Sequence, residues 1–200
     1  DGWLYAFKPA TGELLWKFNC RAHEKPTGKK DSPDQNHLMA VPVFYRDRVI
    51  IAVGQDPEKG DGDGCLRAID ATQHGDVTAK AEVWRLEGKN FGRSVSTVAV
   101  RDDLLYAVEL GGFLNCIDVA TGKRHWRFDV KAGVWGSPVV ADGKVYLAND
   151  DGDVYVFRQG KMQQPPVVNR LPGSTKGTVA TSNETIFIAD RAQLYAIKSQ

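Results

Sequence analysis

The stretch that decides the fold is Ser137-Pro138-Val139-Val140-Ala141-Asp142-Gly143-Lys144-Val145-Tyr146-Leu147-Ala148, followed by Gly152-Asp153-Val154-Tyr155-Val156-Phe157. Two apolar, β-branched runs flank an Asp-Gly pair, which is the composition of two strands joined by a tight turn. Forty-one residues earlier the chain reads Ser96-Thr97-Val98-Ala99-Val100-Arg101-Asp102-Asp103-Leu104-Leu105-Tyr106, then Gly112-Phe113-Leu114-Asn115-Cys116-Ile117. About 41 residues later come Thr178-Val179-Ala180-Thr181-Ser182-Asn183-Glu184-Thr185-Ile186-Phe187 and Gln193-Leu194-Tyr195-Ala196-Ile197. A longer-looped copy runs from Val41-Pro42-Val43-Phe44 through Val49-Ile50-Ile51-Ala52 to Leu66-Arg67-Ala68-Ile69-Asp70.

A period near 40 belongs to arrays and propellers. No segment sustains a 3.6-residue period, so each unit reads as four short antiparallel strands, A to D, with almost no helix. Both faces of the strands are mostly apolar, as in Leu194-Tyr195-Ala196-Ile197, which requires sheets packed between other sheets. Radially stacked blades meet that requirement, and the predicted fold is an all-β propeller of four-stranded antiparallel blades. Strands C and D of a first blade occupy residues 1–18. Complete blades span 38–86, 94–130 and 134–171, and strands A to C of a last blade span 178–200. That is a partial ring of about four blades, from a propeller of seven or eight; rings of this kind have four to eight blades. Its bare end sheets would be aggregation-prone, so missing blades or a second copy are expected to complete it.

Composition narrows the function. The chain has 200 residues, 26 Lys and Arg against 25 Asp and Glu, and a net charge of +1. Without a long basic tract, nucleic acid and anionic lipid are not the expected partners. No apolar run approaches the roughly 18 residues of a membrane-spanning helix, so no transmembrane segment is predicted. Cys20, Cys65 and Cys116 are widely spaced and form no Cys-x-x-Cys, which gives neither a zinc signature nor a disulfide framework. The chain opens at Asp1 directly in a strand, as a portion of a longer polypeptide would, and the lack of a signal peptide is uninformative.

After strand C stands Ala6-x-Lys8-x-x-Thr11-Gly12-Glu13-Leu14-Leu15-Trp16, and again Cys116-x-Asp118-x-x-Thr121-Gly122-Lys123-Arg124-His125-Trp126. Ala68-x-Asp70-x-x-Gln73-His74-Gly75 is a looser copy that reaches Trp84 after an insertion. This pattern resembles the repeat of pyrroloquinoline-quinone-type (PQQ-like) propellers, roughly Ala-x-Asp-x-x-Thr-Gly-x-x-x-Trp. The resemblance covers essentially the whole chain. It implies that Trp16, Trp84 and Trp126 lie over the neighbouring blade, each set by a turn such as Thr11-Gly12 or Thr121-Gly122. Lys8 replaces the usual Asp, and the unit ending near Val167-Val168 has no such Trp, so its junction should pack less tightly.

Successive strands alternate direction, so the loops before strand A and between B and C emerge at one end of the ring. Two insertions share that face. Arg21 to Asn36 is Lys-rich (Lys25, Lys29, Lys30), and Gln55 to Gly64 is acidic (Asp56, Glu58, Asp61, Asp63). Paired, solvated tips are the simplest reading of these two. Asp61-Gly62-Asp63-Gly64 does not complete an EF-hand, and no metal is predicted. The third insertion, His74 to Glu82, lies at the opposite end and carries no obvious chemistry. The axial rim on the insertion face is the other candidate. There His37, Arg93, Trp135 and Lys176 begin A strands, while Glu109, Asn149, Asp150, Asp190 and Arg191 end B strands. A mixed-charge rim with one aromatic suits a polar ligand or a peptide, although Asn149 and Asp150 precede a glycine and suit turn duty. Asn183-Glu184-Thr185 fits a glycosylation sequon in an A–B turn.

Quinoprotein dehydrogenases of the resembling family carry a quinone on the axis, a nearby Ca²⁺, a catalytic Asp and a ring formed by adjacent cysteines. This sequence has no Cys-Cys pair, Gly-x-Ser-x-Gly elbow, P-loop or His-Glu-x-x-His helix. Other members keep the repeat without the cofactor and act by holding partners. The expectation is therefore a non-catalytic binding or scaffold propeller that recognises a protein or small polar ligand through one loop face, without a cofactor in this segment. A fragment of a PQQ-dependent alcohol or sugar dehydrogenase, with PQQ and Ca²⁺, is the alternative. The resemblance implies a periplasmic or extracytoplasmic location.

Overall fold

The computed structural model describes residues 2–21, 37–59 and 63–198. Among them the chain is all-β, with one turn of 3-10 helix at Pro57–Lys59. Two compact units divide at Val95.

In the first unit, β1 (Trp3–Phe7) pairs antiparallel with β2 (Leu14–Asn19). The next sheet is β3 (Val43–Tyr45), β4 (Arg48–Gly54), β5 (Gly64–Asp70) and, after the short β6 (Gly75–Asp76), β7 (Glu82–Glu87), in the order β3-β4-β5-β7. The second unit holds three sheets. The first is β8 (Ala99–Arg101), β9 (Leu104–Val108), β10 (Phe113–Asp118) and β11 (Arg124–Asp129). The second is β12 (Val139–Ala141), β13 (Lys144–Ala148), β14 (Asp153–Arg158) and β15 (Val167–Arg170). The third is β16 (Ala180–Ser182), β17 (Thr185–Ala189) and β18 (Leu194–Lys198). Each follows the meander order A-B-C-D as far as its strands extend, which is the blade pattern.

The A–B turns are left-handed where the sequence places turn pairs. Asp102 and Asp103 have φ of 51° and 61°, Asp142 and Gly143 48° and 64°, and Asn183 and Glu184 48° and 58°. Two successive positive φ values give the turn whose twist matches the flanking strands.

The C–D turns explain the repeat motif. Asp118 Oδ1 accepts from the Thr121 N–H at 3.0 Å and from its hydroxyl at 2.9 Å, and the Gly122 N–H closes on the Asp118 carbonyl at 2.9 Å. Gly122 has φ +71° and Gly12 φ +72°, and a Cβ on Gly12 would meet nothing within 4 Å, so it is the backbone angle that calls for glycine there. Lys8 supplies no carboxylate, yet the Gly12 N–H still reaches the Lys8 carbonyl at 2.8 Å. Directly before each turn the strand register slips, at Ala6/Phe7, Ala68/Ile69 and Cys116/Ile117. In all three places the small residue of the motif faces the Trp: Ala6 opposite Trp16, Ala68 opposite Trp84 and Cys116 opposite Trp126.

Two of these indoles bind the turn of the following sheet. Trp16 Nε1 donates to the Ala71 carbonyl at 3.1 Å and Trp126 Nε1 to that of Gly160 at 3.0 Å. Both side chains are buried, and Trp126 lies against Tyr106 and stacks on Phe157, with ring centroids 5.9 and 5.8 Å apart. Trp84 is half-buried on β7.

Apolar side chains fill the space between successive sheets of the second unit. Leu104, Tyr106, Leu114, Cys116 and Trp126 pack with Val145, Leu147, Tyr155 and Phe157; Tyr146, Ala148 and Val154 pack with Val179 and Ile188. β18 is exposed except at the half-buried Tyr195, against the expectation from its apolar run, but the B and C strands of the two preceding sheets are mostly buried on both faces, as in β9, whose five residues are all covered. That is why their sequences read as continuous apolar runs rather than alternating ones.

One feature differs from the expected plan and a second follows it. The first sheet has a third strand: β6, from the His74 to Glu82 insertion, pairs parallel with β2 in the order β1-β2-β6. The insertion thus straps the second sheet to the first. The Val77 N–H reaches the Lys17 carbonyl, and Thr78 Oγ1 accepts from the Asn19 N–H, each at 3.0 Å. The hydroxyl of Thr78 is itself held by Asp76, at 2.8 Å. The second feature is β15, whose four residues are all exposed; Val167, opposite Val156 where Trp126 stands opposite Cys116, is 65% exposed.

Candidate functional site

The nine rim positions fall in both units. In the first, His37 pairs with Gly54, the last residue of β4, as an isolated bridge, N–H to carbonyl at 2.8 and 3.2 Å. Arg93 lies in the segment packed on the ends of β4 and β5, so close that a Cβ on Gly64 would fall 2.4 Å from the Arg93 Cα. Of the two insertions on this face, residues 22–36 and 60–62 lie outside the described residues, and their proposed pairing with them. Asp56 is described; its carboxylate caps the Glu58 N–H at 3.0 Å.

In the second unit the rim separates into buried and exposed groups. Glu109 is buried: Arg127 Nε and Nη2 donate to its two oxygens at 3.1 and 3.0 Å, and Asn115 Nδ2 adds a third bond at 3.0 Å. Arg127 in turn lies 3.6 Å over the Phe113 ring. Asn149 is buried in its turn, donating to the Val130 carbonyl at 2.8 Å and accepting from the Asp153 N–H at 2.9 Å. Asp150 accepts from the Ser174 hydroxyl at 2.7 Å. Asp190 accepts from the Ala192 and Gln193 N–H groups and from the Tyr195 hydroxyl, at 2.7 to 3.0 Å, and these bonds, the backbone ones first, hold its carboxyl below the usual value. Trp135 and Lys176 remain as a pair, Nζ 4.5 Å from the ring centroid, with Lys176 exposed and Trp135 half-buried. Arg191 is exposed. The carboxylates of this face are thus spent within the fold, whereas the aromatic–cation pair faces solvent.

A second set of polar groups binds the A-strand starts together. Ser96 Oγ donates to the Gly136 carbonyl at 2.8 Å, Ser137 Oγ accepts from the Thr97 N–H at 3.0 Å, and Thr178 Oγ1 accepts from the Ser137 N–H at 2.9 Å. The close approach continues at Gly136, where a Cβ would stand 2.3 Å from the Gly177 carbonyl oxygen. Ser96, Ser137 and Thr178 are each the first residue of an aligned repeat, so the self-alignment marks their positions without showing what they do. In the first unit, Arg67 is a buried cation that alternation did not reveal: it pairs with Glu82 and donates from Nε to Cys65 Sγ at 3.2 Å.

A calcium site is built from a cluster of oxygen donors. Among the described residues no group of three or more His, Cys, Asp or Glu could hold a metal ion. Glu109 and Asp190, the carboxylates best placed to try, each already accept three internal hydrogen bonds.

A model of the family described as outer membrane protein assembly factor BamB (PQQ_2) matches residues 62–164, just over half of the chain. The chain belongs to that family. Its fold is similar to that of BamB from Moraxella catarrhalis, at TM-score 0.70 and 18% identity over 98% of this chain and 52% of that one. It is also similar to quinohemoprotein alcohol dehydrogenase from Comamonas testosteroni, at TM-score 0.67 and 14% identity over 86% of this chain and 33% of that one. In sequence, 95 residues are 36% identical to the quinoprotein alcohol dehydrogenase PedH of Pseudomonas putida, covering 46% of this chain and 15% of that protein. The chain therefore spans about half the length of the Moraxella protein and a small part of PedH. The family model covers residues 62–164, and the all-β fold matches that of the Moraxella propeller over 98% of the chain.

Proposed function

We propose that this chain is a section of a non-catalytic scaffold propeller, located outside the cytoplasm, that holds a protein or small polar ligand on the face bearing Trp135 and Lys176. The observation that carries the reading is the division of labour on that face. Glu109, Asn149 and Asp190 have their polar atoms engaged by the fold, while an indole and an ammonium stand together within reach of solvent. Such a pair offers a flat apolar surface and a charge at one point, which suits a peptide or polar ligand better than bond-making chemistry. The family's description as an assembly factor supports a protein as the occupant. The periplasm is the compartment proposed on the same resemblance.

The second reading, a portion of a PQQ-dependent alcohol or sugar dehydrogenase, is favoured by the 36% identity to PedH. Titration with the quinone and Ca²⁺, followed by dye reduction with alcohols and sugars, separates the two. The scaffold reading expects no spectral change and no reduction, and alcohol-dependent reduction would overturn it. A photo-reactive residue in place of Lys176 should cross-link a polypeptide that one in place of Lys123, in a C–D turn, does not; equal cross-linking from both positions would count against the face.

A further inference from the structure

Trp16 and Trp126 spend their indole N–H on a carbonyl of the next sheet. Trp135 does not: its Nε1 has no acceptor among the described residues and remains accessible. Lys176 Nζ stands over the same ring, 4.5 Å from its centroid, and among the described residues no carboxylate lies within ion-pair distance of it. The acids of this face are engaged elsewhere. Asp150 is held by the Ser174 hydroxyl and Asp190 by Ala192, Gln193 and Tyr195, while Asp151 lies within electrostatic reach of Arg170. Ser137 adds a third donor. Its Oγ accepts the Thr97 N–H at 3.0 Å, and its own O–H finds no acceptor among the described residues.

These groups share one side of the A-strand starts. Burial alternates along the segment, with Val134, Gly136 and Pro138 covered and Trp135 and Ser137 half-buried, so the last two side chains emerge together. Gly136 brings the Lys176 segment against them, since a Cβ there would stand 2.3 Å from the Gly177 carbonyl oxygen. The openness of this side is internal to the repeat. β8, β12 and β16 each end their sheets with no strand beyond them, and Ser137 has a repeat bonded on either hand, through Thr97 and through Thr178. Lys176 leans back over the earlier repeat rather than toward the end of the chain.

We propose that Trp135, Ser137 and Lys176 form a carboxylate-binding subsite that takes an Asp or Glu side chain of a partner polypeptide. The inference rests on the reading of this face as one that holds a polypeptide, and names the group it holds. An ammonium, an indole N–H and a hydroxyl are three donors in one place with no acceptor of the fold to match them. A single positive charge suits a carboxylate better than the nearly double charge of a phosphate. The bond from the ammonium is charge-assisted, and the indole wall keeps water from one side of it.

The test is an NMR titration of the chain with a capped Gly-Ala-Glu-Leu-Gly peptide and with its Gln counterpart, following the indole N–H resonance that Trp135→Phe removes. The Glu peptide should move that resonance at millimolar concentration, and the Gln peptide should bind about tenfold more weakly, as expected for loss of a charged hydrogen bond. Lys176→Gln, at an exposed position, should erase the preference for Glu, Lys176→Arg should keep it, and added salt should weaken the Glu peptide alone. Equal binding of the two peptides would overturn the carboxylate subsite and leave the face as a peptide site. No movement with either peptide, alongside cross-linking from position 176, would also overturn the subsite and spare the face; neither movement nor cross-linking would remove both. Acetate that moves the resonance as far as the Glu peptide at equal concentration would overturn the polypeptide as occupant in favour of a free small acid.

Discussion

Trp126 reaches 34 residues along the chain to donate its indole N–H to the carbonyl of Gly160, and Trp16 makes the corresponding bond to Ala71 in the other unit. Two positions related by the repeat thus use a single apolar wedge in one way, with its polar atom spent on the turn of the next sheet. The geometry separates two contributions. Trp126→Ala should cost about 3–5 kcal/mol, as expected for deleting a buried Trp. Trp126→Phe keeps an aromatic ring against Phe157 and forgoes the bond to Gly160, leaving that carbonyl short of a donor, and should cost about 1–3 kcal/mol. Urea unfolding followed by circular dichroism measures both, and equal losses would contradict the division.

Glu184 occupies the second left-handed position of an A–B turn at φ +58°, where the preceding repeat has Gly143 at φ +64°. The left-handed angle costs a side-chain-bearing residue about 1–2 kcal/mol, and glycine loses roughly 0.5–1 kcal/mol through its freer unfolded chain. Glu184→Gly should therefore stabilise the protein, by up to about 1 kcal/mol. A raised urea midpoint with an unchanged slope is the expected result.

Acid should loosen the C–D turns. At Asp70 the bonds from Thr72 and Gln73 hold the carboxyl below its usual value. Burial works against ionisation at Asp118, but the Thr121 hydroxyl and the turn N–H groups outweigh it, and its carboxyl is also depressed. A depressed folded-state value means that stability is fully present above the unfolded carboxylate range, near 3.9, and is lost as pH falls through the folded value. Melting temperatures should be level above about pH 5 and decline below about pH 4. Asp118→Asn should be less stable at neutral pH and show a shallower decline; an unaltered slope would remove Asp118 from the account.

The Cys116 thiol is pushed up to about 11 by burial, against a smaller lowering effect from Tyr106, and lies 3.6 Å from the Gly160 carbonyl. The thiolate is the reactive form, so Cys116 should resist a thiol reagent at pH 8 in the native protein and react promptly in urea. Rapid native labelling of Cys116, located by peptide mass mapping, would contradict the packed junction.

Much of the blade plan was legible because the repeat writes it down several times. Asp-Asp, Asp-Gly and Asn-Glu marked the A–B turns, and Asp118 with Thr121-Gly122 marked the C–D turn, since each of these residue types does its work locally. The strap was not legible. Gly75 and Asp76 have no strand composition, and they form a strand only because β2 presents an edge to them across 59 residues, as in the bond from Asn19 to Thr78. The rim was legible as a set of positions but not as a site. Glu109 resembles an available acid until Arg127 on β11 is seen to neutralise it, and Asn149 resembles a ligand donor until its amide is found in the turn. Partners supplied by another strand cannot be read from one strand's residues.

The hydroxyls of Ser96, Ser137 and Thr178 each engage the repeat immediately beside their own, at a sequence distance of 40 or 41 residues. Coupling of this sort extends one neighbour at a time, so a lesion in one unit should be felt by the adjoining one and fade beyond it. Modular growth follows from the same rule: a duplicated repeat arrives with the hydroxyl it offers and the backbone groups it needs, so the family can change its number of units without redesigning any of them.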